Sequence, residues 1–180
     1  MNDQNYEALV IGFGKGGKTL ASYLGNQGID VAVIEQSKAM YGGTCINIAC
    51  IPSKALALAA DSAFKSKFNT FEEKETYYQK SLAEKDELVS LLRQRNYDNL
   101  NNNPHVTVID GKASFVTPSD IEVTKSDGEG MPLRIHAKKI FINTGSLPFM
   151  PVIEGLLICH RFKNISETLQ ANDNLICVDG

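Results

Sequence analysis

The stretch Ala8-Leu9-Val10-Ile11-Gly12-Phe13-Gly14-Lys15-Gly16-Gly17 decides the fold, because an apolar run breaks directly into a cluster of glycines. Four consecutive apolar residues ending at Ile11 suit a parallel strand buried on both faces. Beyond the glycines, Lys18 to Asn26 carries Leu20, Ala21 and Leu24 at helical spacing, with Gly25 and Gly28 as termination signals. Val31-Ala32-Val33-Ile34 is a second apolar run, closed by Glu35. Strand, glycine loop, helix and strand in that order make a βαβ unit, whose crossover is expected to be right-handed.

Gly12, Gly14 and Gly17 fit the spacing G-x-G-x-x-G. The three glycines serve different physical ends, namely a tight turn, close approach of a pyrophosphate to the backbone, and close packing of helix on strand. The amides that open the helix form an anion site. Glu35 ends the second strand about 20 residues beyond the loop, where a carboxylate can accept hydrogen bonds from an adenosine ribose. Such a glycine pattern also occurs in turns that bind nothing. Its place between strand and helix, with the acid in position, favours a dinucleotide, and an acid rather than a base favours an unphosphorylated ribose, as in FAD or NAD.

Composition narrows the remaining classes. The chain has 180 residues, the size of one ordinary domain, and its 43% hydrophobic and 22% charged content argues against disorder, collagen-like repeats and a fibrous coiled coil. Eighteen basic residues against 21 acidic ones leave a net charge of −3, without the basic field a nucleic-acid binder needs. Met1 to Glu7 has neither the positive start nor the apolar run of a secretory signal, and Ala8–Ile11 is too short to span a bilayer. No membrane association and a cytoplasmic location are therefore expected. In that compartment Cys45, Cys50, Cys159 and Cys177 are not expected to be structural staples.

Cys45 and Cys50 sit in Tyr41-Gly42-Gly43-Thr44-Cys45-Ile46-Asn47-Ile48-Ala49-Cys50-Ile51-Pro52-Ser53-Lys54. A gap of five is not that of zinc knuckles, and no second pair or neighbouring histidine completes a metal set, so no metal site is expected. On a regular helix five steps advance about 7.5 Å, beyond the roughly 7 Å between Cα atoms that a disulfide tolerates. A bridge would need a distorted turn, which Gly42, Gly43 and Pro52 permit, while Thr44 is placed to cap a helix. A helix N-terminus also lowers a thiol pKa. A redox pair and two buried reduced cysteines both remain open on the residues alone.

Further along, Ser53–Phe64 reads as a helix, and Glu72–Leu100 as a long amphipathic one that packs through Leu82, Leu88, Leu91 and Leu92 and stops at Asn101-Asn102-Asn103-Pro104. Val106–Ile109, Ile121–Val123 and Leu133–Ile135 are expected strands of a small antiparallel meander, with a turn at Asp127-Gly128-Glu129-Gly130. Lys139–Asn143 is expected to return to the main sheet. His105, His136 and His160 are scattered singles that read as surface or strand-end residues, Glu72-Glu73-Lys74-Glu75 as a solvated helix start, Tyr77 and Tyr78 as packing residues, and Cys159 and Cys177 as inert. The fold class is α/β: a Rossmann-like FAD/NAD(P)-binding domain with a mostly parallel sheet, flanking helices and a small antiparallel β-meander.

Four separated motifs occur in order: Val10-Ile11-Gly12-Phe13-Gly14, Val33-Ile34-Glu35, Gly43-Thr44-Cys45-Ile46-Asn47 through Cys50-Ile51-Pro52-Ser53-Lys54, and Ile142-Asn143-Thr144-Gly145-Ser146-Leu147-Pro148. Together they resemble the class I pyridine nucleotide-disulfide oxidoreductases, the family of dihydrolipoamide dehydrogenase, glutathione reductase and mercuric reductase. Phe13-Gly14-Lys15 and Met40-Tyr41-Gly42-Gly43 are similar to the subgroup of mercuric reductases and reactive-oxidant resistance flavoproteins. The resemblance implies that the Gly12–Gly17 loop, with Gly14 and Gly16, and Glu35 hold the ADP half of FAD. It implies that Gly42, Gly43 and Thr44 line its pyrophosphate and ribityl side, that Ala113 meets the adenine, and that Thr144, Gly145 and Ser146 also belong to the cofactor site. Cys50 would be the thiol against the flavin, forming the charge-transfer pair, Cys45 the interchange thiol facing substrate, and Lys54 a positive charge near the flavin ring nitrogens. The implied redox couple is a Cys45–Cys50 disulfide. Ala49 departs from the glycine usual before the second cysteine; the added methyl is expected to be tolerated, although it bears on the distorted turn.

The same resemblance implies NAD(P)H as electron donor, a small-molecule disulfide or a metal ion as substrate, and a homodimer in the family. It runs from residue 5 to about 155. Residues 1–155 are thus expected to form an FAD-binding domain with a redox-active disulfide, and 156–180 a divergent or truncated tail leading to a missing NAD-binding domain. The functional expectation is the FAD-binding, redox-disulfide portion of such an oxidoreductase, which alone does not complete turnover. The alternative is a catalytically inactive nucleotide-binding fragment of that family.

Overall fold

The computed structural model describes residues 3–125 and 131–146. Its sheet has six strands in the order β3-β2-β1-β6-β5-β4. In chain order these are β1 (Asp3–Ile11), β2 (Val31–Glu35), β3 (Val106–Asp110), β4 (Lys112–Phe115), β5 (Asp120–Thr124) and β6 (Leu133–Ile142). The helices are α1 (Lys15–Asn26), α2 (Thr44–Asn47), α3 (Cys50–Ser66) and α4 (Phe71–Asn101), and a single 3-10 turn covers Lys38–Met40. β1 pairs in parallel with β2, aligning Ala8 with Val31 and Ile11 with Ile34, and in parallel with β6 along its whole length. β3 adds to β2 in parallel, whereas β4, β5 and β6 run antiparallel to one another.

Both faces of β1 and β2 are covered, which is why their sequences are uninterrupted apolar runs rather than alternating ones. Ala8, Val10, Val31 and Val33 point to one core with Phe13, Ala21, Tyr41, Leu100 and Val106, beneath α1 and α4. Leu9, Ala32 and Ile34 point to the other, against Ile121, Val123, Ile135 and Ala137 of the β5–β6 hairpin. The antiparallel strands therefore continue the main sheet and cover its second face.

Several boundaries differ from the sequence expectation. Leu133–Ile135 and Lys139–Asn143, up to Ile142, are parts of one strand, β6, because β1 starts at Asp3 rather than Ala8 and pairs with it throughout. Lys138 interrupts the apolar pattern there, but its ammonium reaches Glu7 at 2.6 Å from the solvent side. α1 starts at Lys15 rather than Lys18, and α3 at Cys50 rather than Ser53. On α4 the buried stripe is Leu82, Lys85, Val89 and Leu100, with Leu92 half-buried, while Leu88 and Leu91 are exposed. Those two leucines lie off the face that Val89 presents to the core.

α4 starts with a capping box: Thr70 Oγ1 accepts from the Glu73 amide at 3.2 Å and Glu73 Oε2 accepts from the Thr70 amide at 3.3 Å. Tyr77 packs on Phe68 with ring centroids 5.1 Å apart, and Tyr78 is half-buried. His105, just before the edge strand β3, pairs with Asp30, and His136 of β6 pairs across the ladder with Asp120 of β5, each at 2.9 Å with the histidine exposed. Among the described residues no helix is long and apolar enough to cross a membrane. The expected turn at Asp127–Gly130 and the residues Leu147, Pro148, Cys159, His160 and Cys177, with the tail 156–180, lie outside the described residues.

Gly17 shows how tightly helix and strand are pressed together. A Cβ there would stand 2.6 Å from the Gly12 carbonyl oxygen and 2.7 Å from Val10 Cγ1. Gly17→Ala should therefore cost about 1–3 kcal/mol, read as a lower urea midpoint by circular dichroism. Gly16→Ala, at an exposed helical position, should change stability by less than about 1 kcal/mol. Equal effects of the two substitutions would refute this packing account.

Candidate functional site

The carboxyl ends of β1, β2 and β6 converge on the Gly12–Gly17 loop. The Gly12 amide donates to Ile34 O at 2.8 Å and the Asn143 amide to Ile11 O at 2.8 Å, so the loop springs from between two paired strands. Gly12 takes φ +104°, a left-handed conformation for which glycine is the fitting residue. Gly14 is the N-cap of α1 with no capping side chain, and the first turn of that helix holds no acid. The opening amides of α1 are thus left to an external acceptor, and the helix dipole favours an anion there.

Glu35 is buried at the end of β2. Its Oε2 accepts from the Phe13 amide at 3.0 Å and its Oε1 from the Ser37 amide at 3.1 Å. A carboxylate has about four acceptor sites, so the two amides leave room for a hydroxyl ligand. Glu35 also accepts the Gly111 amide on its backbone oxygen at 2.9 Å, which brings the start of β4 and half-buried Ala113 toward the end of β2. Tyr41 donates its hydroxyl to Asp110, and burial followed by that bond pushes its pKa far above the ordinary phenol value. It remains a neutral donor. The Tyr41 ring lies 5.0 Å from Phe13 and stacks at 5.0 Å on Tyr97 of α4. Such aromatic pairs contribute about 0.5–1.5 kcal/mol each beyond burial.

Gly42 and Gly43, with φ +91° and +76°, carry the chain from Tyr41 into α2. The Gly42 amide donates to Phe13 O at 3.1 Å, and a Cβ on Gly43 would stand 2.6 Å from Gly14 Cα. The segment before the cysteines is therefore in backbone contact with the segment before α1. α2 lasts four residues, then Ile48 (φ −128°, ψ −41°) and Ala49 (φ −111°, ψ −89°) leave helical geometry before α3 begins at Cys50. Both the Ile48 and Ala49 amides converge on Thr44 O at 2.9 Å. This is the distorted turn the five-residue gap requires. Ala49 has negative φ, so the glycine it replaces is not needed for the backbone there.

The turn brings both thiols together, Cys45 half-buried and Cys50 exposed, each a free cysteine. The Cys45 thiol is pushed up in pKa, first by its hydrogen bond with Cys50, then by burial and by the charge of Cys50, against smaller lowering by Lys15 and Lys18. This reverses the expectation from the helix N-terminus: a donated hydrogen bond holds the proton on Cys45 more firmly than the cations draw it off. Thr44 is the first residue of α2, and the N-cap is Gly43 without a side-chain bond, so Thr44 is not the cap its position suggested. Lys54 is exposed on α3.

Several residues that hold the site carried no assigned role in the sequence. Asn143 donates Nδ2 to Gly12 O at 3.1 Å, and its side chain borders Gly14, Gly16 and Gly17. Asn47 donates Nδ2 to Gly43 O at 2.9 Å and Tyr41 O at 3.0 Å, while its Oδ1 accepts from Arg93 Nε of α4 at 2.8 Å. Lys18 donates to Asn96 of α4. A signal existed for the two asparagines, since Asn47 is a lone short amide between Ile46 and Ile48 and Asn143 directly ends the apolar run Ile140–Ile142. None existed for Arg93 and Asn96, which act across 46 and 78 residues. Thr144 and Gly145 follow Asn143 and are exposed, Gly145 with φ +73° and open space around it. Ser146 is exposed. Among the described residues no group of three or more His, Cys, Asp or Glu is placed to hold a metal ion.

Comparison with known proteins agrees with this geometry. Residues 6–176 match the profile described as pyridine nucleotide-disulphide oxidoreductase. The chain is 44% identical over 151 residues to the probable pyridine nucleotide-disulfide oxidoreductase RclA of Escherichia coli (strain K12), covering 84% of this chain and 31% of that protein. It is 35% identical over 161 residues to a mercuric reductase of Lysinibacillus sphaericus, covering 87% of this chain and 28% of the relative. The chain thus spans less than one third of the length of these relatives. A solved structure, the Cu(II) complex of the HOCl-induced flavoprotein disulfide reductase RclA from Escherichia coli, superposes with a TM-score of 0.70 at 44% identity over 87% of this chain and 32% of that one. The fold is therefore the mixed α/β, Rossmann-like FAD-binding fold of flavoprotein disulfide reductases.

The hydrogen bond between the thiols generates a direct expectation. Cys50→Ala removes it, so the Cys45 pKa should fall and its alkylation by iodoacetamide at about pH 8 should become faster, followed by mass spectrometry of the Cys45 peptide. An unchanged or slower rate would show that Cys50 does not hold the Cys45 proton.

Proposed function

This chain belongs to the pyridine nucleotide-disulphide oxidoreductase family, and on that premise we propose that it is the FAD-binding, dithiol-bearing part of a flavin-dependent NAD(P)H:disulfide or metal-ion oxidoreductase. The observation that carries this reading is the contact of Gly43 with Gly14, which sets the Cys45/Cys50 turn directly against the anion-binding start of α1. A dinucleotide domain without redox chemistry has no need of that juxtaposition.

The site fits FAD on its own features. The uncapped α1 amides and Gly14 would receive the pyrophosphate, with Gly42, Gly43 and Thr44 alongside. Glu35 would accept from the adenosine ribose, Ala113 would border the adenine, Lys54 would lie toward the flavin, and Thr144 and Gly145 would also belong to the cofactor site. When bound, FAD supplies a two-electron relay between a nicotinamide donor and the dithiol. Cys50, the exposed thiol at the start of α3, would take up electrons on the flavin side. Cys45 would exchange with the substrate, its sulfur returning to a Cys45–Cys50 disulfide as the substrate is reduced. The distorted turn is suited to this cycle, because it brings the sulfurs together without a continuous helix to unwind. The nicotinamide site, the substrate-specific surface and a homodimer would belong to the whole protein, and a cytoplasmic location is part of the same proposal.

Incubation of the purified chain with FAD, removal of unbound cofactor and a visible spectrum test the reading. Retained flavin bands are expected, and Gly14→Ala, whose φ of −72° suits alanine, should reduce retention several-fold while leaving the circular dichroism spectrum intact. A chain that stays colourless would overturn this reading in favour of the inactive-fragment one.

A further inference from the structure

One side chain closes the backbone that leads into Cys45. Asn47, the last residue of α2, donates Nδ2 to Gly43 O at 2.9 Å and to Tyr41 O at 3.0 Å, which ties the end of that helix back to its entry. Gly43 O also takes the Ile46 and Asn47 amides, at 3.3 and 3.2 Å. A carboxamide has a donor end and an acceptor end, and only one setting serves those two carbonyls. Arg93 of α4 fixes that setting: its Nε donates to Asn47 Oδ1 at 2.8 Å, and a guanidinium cannot accept in return. Arg93 is half-buried and stands one helical turn before Tyr97, which stacks on Tyr41 at 5.0 Å. Two side chains from one face of α4 thus grip the segment 41–47.

We propose that Arg93 is a positioning residue of the dithiol: through Asn47 it holds the segment 41–47 in the conformation from which the Cys45–Cys50 disulfide closes, and so sets how readily the pair gives up electrons. The inference rests on the reading of Cys45 and Cys50 as a redox couple. Closure needs Cα atoms within roughly 7 Å, and the backbone between the cysteines leaves helical geometry at Ile48 and Ala49 to permit it. A four-residue helix does not hold itself. Freed from Asn47, the segment must be ordered at the moment of closure, and that cost lowers the effective concentration of one sulfur at the other. With glutathione disulfide as oxidant, one thiolate of the pair attacks a glutathione sulfur and one glutathione thiol leaves. The second thiolate then displaces the other glutathione as the Cys45–Cys50 bond forms. The pair loses two electrons and two protons, and the oxidant takes up both as two thiols. The brace acts on the second, intramolecular step. Because it acts on the dithiol itself, it serves a disulfide or a metal-ion substrate alike.

The test is a redox titration of the full chain in glutathione buffers, in a Cys159→Ser, Cys177→Ser background, with the Cys45–Cys50 disulfide followed by thiol alkylation and mass spectrometry. Arg93→Met puts a methyl at the bond position of Nε, whereas Arg93→Gln puts an amide donor there, and both remove the charge. Arg93→Met should lower the equilibrium constant for disulfide formation by about threefold or more, a rise of about 14 mV in midpoint potential at about 30 mV per tenfold. Arg93→Gln should keep most of the parent value. Asn47→Ala should show the loss of Arg93→Met, and combining the two should add little, because both remove one chain of contacts. Leu82→Ala, which opens a cavity under α4 three turns away, lowers stability without touching the brace and should leave the constant unchanged. An unchanged constant in Arg93→Met, or a loss matched by Arg93→Gln or by Leu82→Ala, overturns the brace while leaving the redox couple. A parent chain that forms no Cys45–Cys50 disulfide in any of the buffers overturns both readings.

Discussion

Glu35 and Asn143 hold the loop between β1 and α1 from two sides, and the placement of every other functional group follows from that grip. The carboxylate takes the Phe13 amide, and the carboxamide donates to the Gly12 carbonyl. Hydrogen bonds to a charged acceptor contribute about 1.5–3 kcal/mol and ordinary ones about 1. The larger consequence is geometric. With the loop fixed, Gly17 packs where a Cβ would stand 2.6 Å from the Gly12 carbonyl oxygen, and Gly43 packs where one would stand 2.6 Å from Gly14 Cα. The dithiol segment is thereby set against the helix start by backbone contact, which does not depend on any side chain's choice of rotamer.

That arrangement leaves the dithiol turn short of internal support. A four-residue helix such as α2 cannot stabilise itself, since a first helical turn is a costly nucleus. α4 supplies the support from outside. Arg93 holds Asn47, Asn47 holds the carbonyls of Tyr41 and Gly43, and Tyr97 stacks on Tyr41, which in turn packs on Phe13. A helix distant in sequence thus braces the turn, the aromatic cluster and the glycine loop together. Lys18 joins the same brace through Asn96.

The Cys45 ionisation shows how local rules are outweighed. A helix start and two lysines all draw toward the thiolate, yet the hydrogen bond with Cys50 and burial push the other way and prevail. Lys18 shows the same contest with the signs exchanged: burial lowers its pKa more than the neighbouring sulfur raises it. For Cys45 the partner Cys50, which the distorted turn supplies, weighs most, whereas for Lys18 it is desolvation by burial.

What the sequence alone determined is what short-range patterns encode. An apolar run into glycines, a second run into Glu35, and cysteines five apart between flexible residues were sufficient for the βαβ unit, the glycine loop between its first strand and helix, and the need for a distorted turn. These follow from sterics and periodicity within about 30 residues. The tertiary structure alone decided that two expected strands are one β6, that Val89 rather than Leu88 or Leu91 faces the core, that Asn143 and Arg93 hold the site, and which way the Cys45 proton equilibrium moves. Each depends on which distant segment arrives at a given face. A polar residue such as Lys138 or Asn143 acquires its role only when a strand or loop from elsewhere supplies the partner.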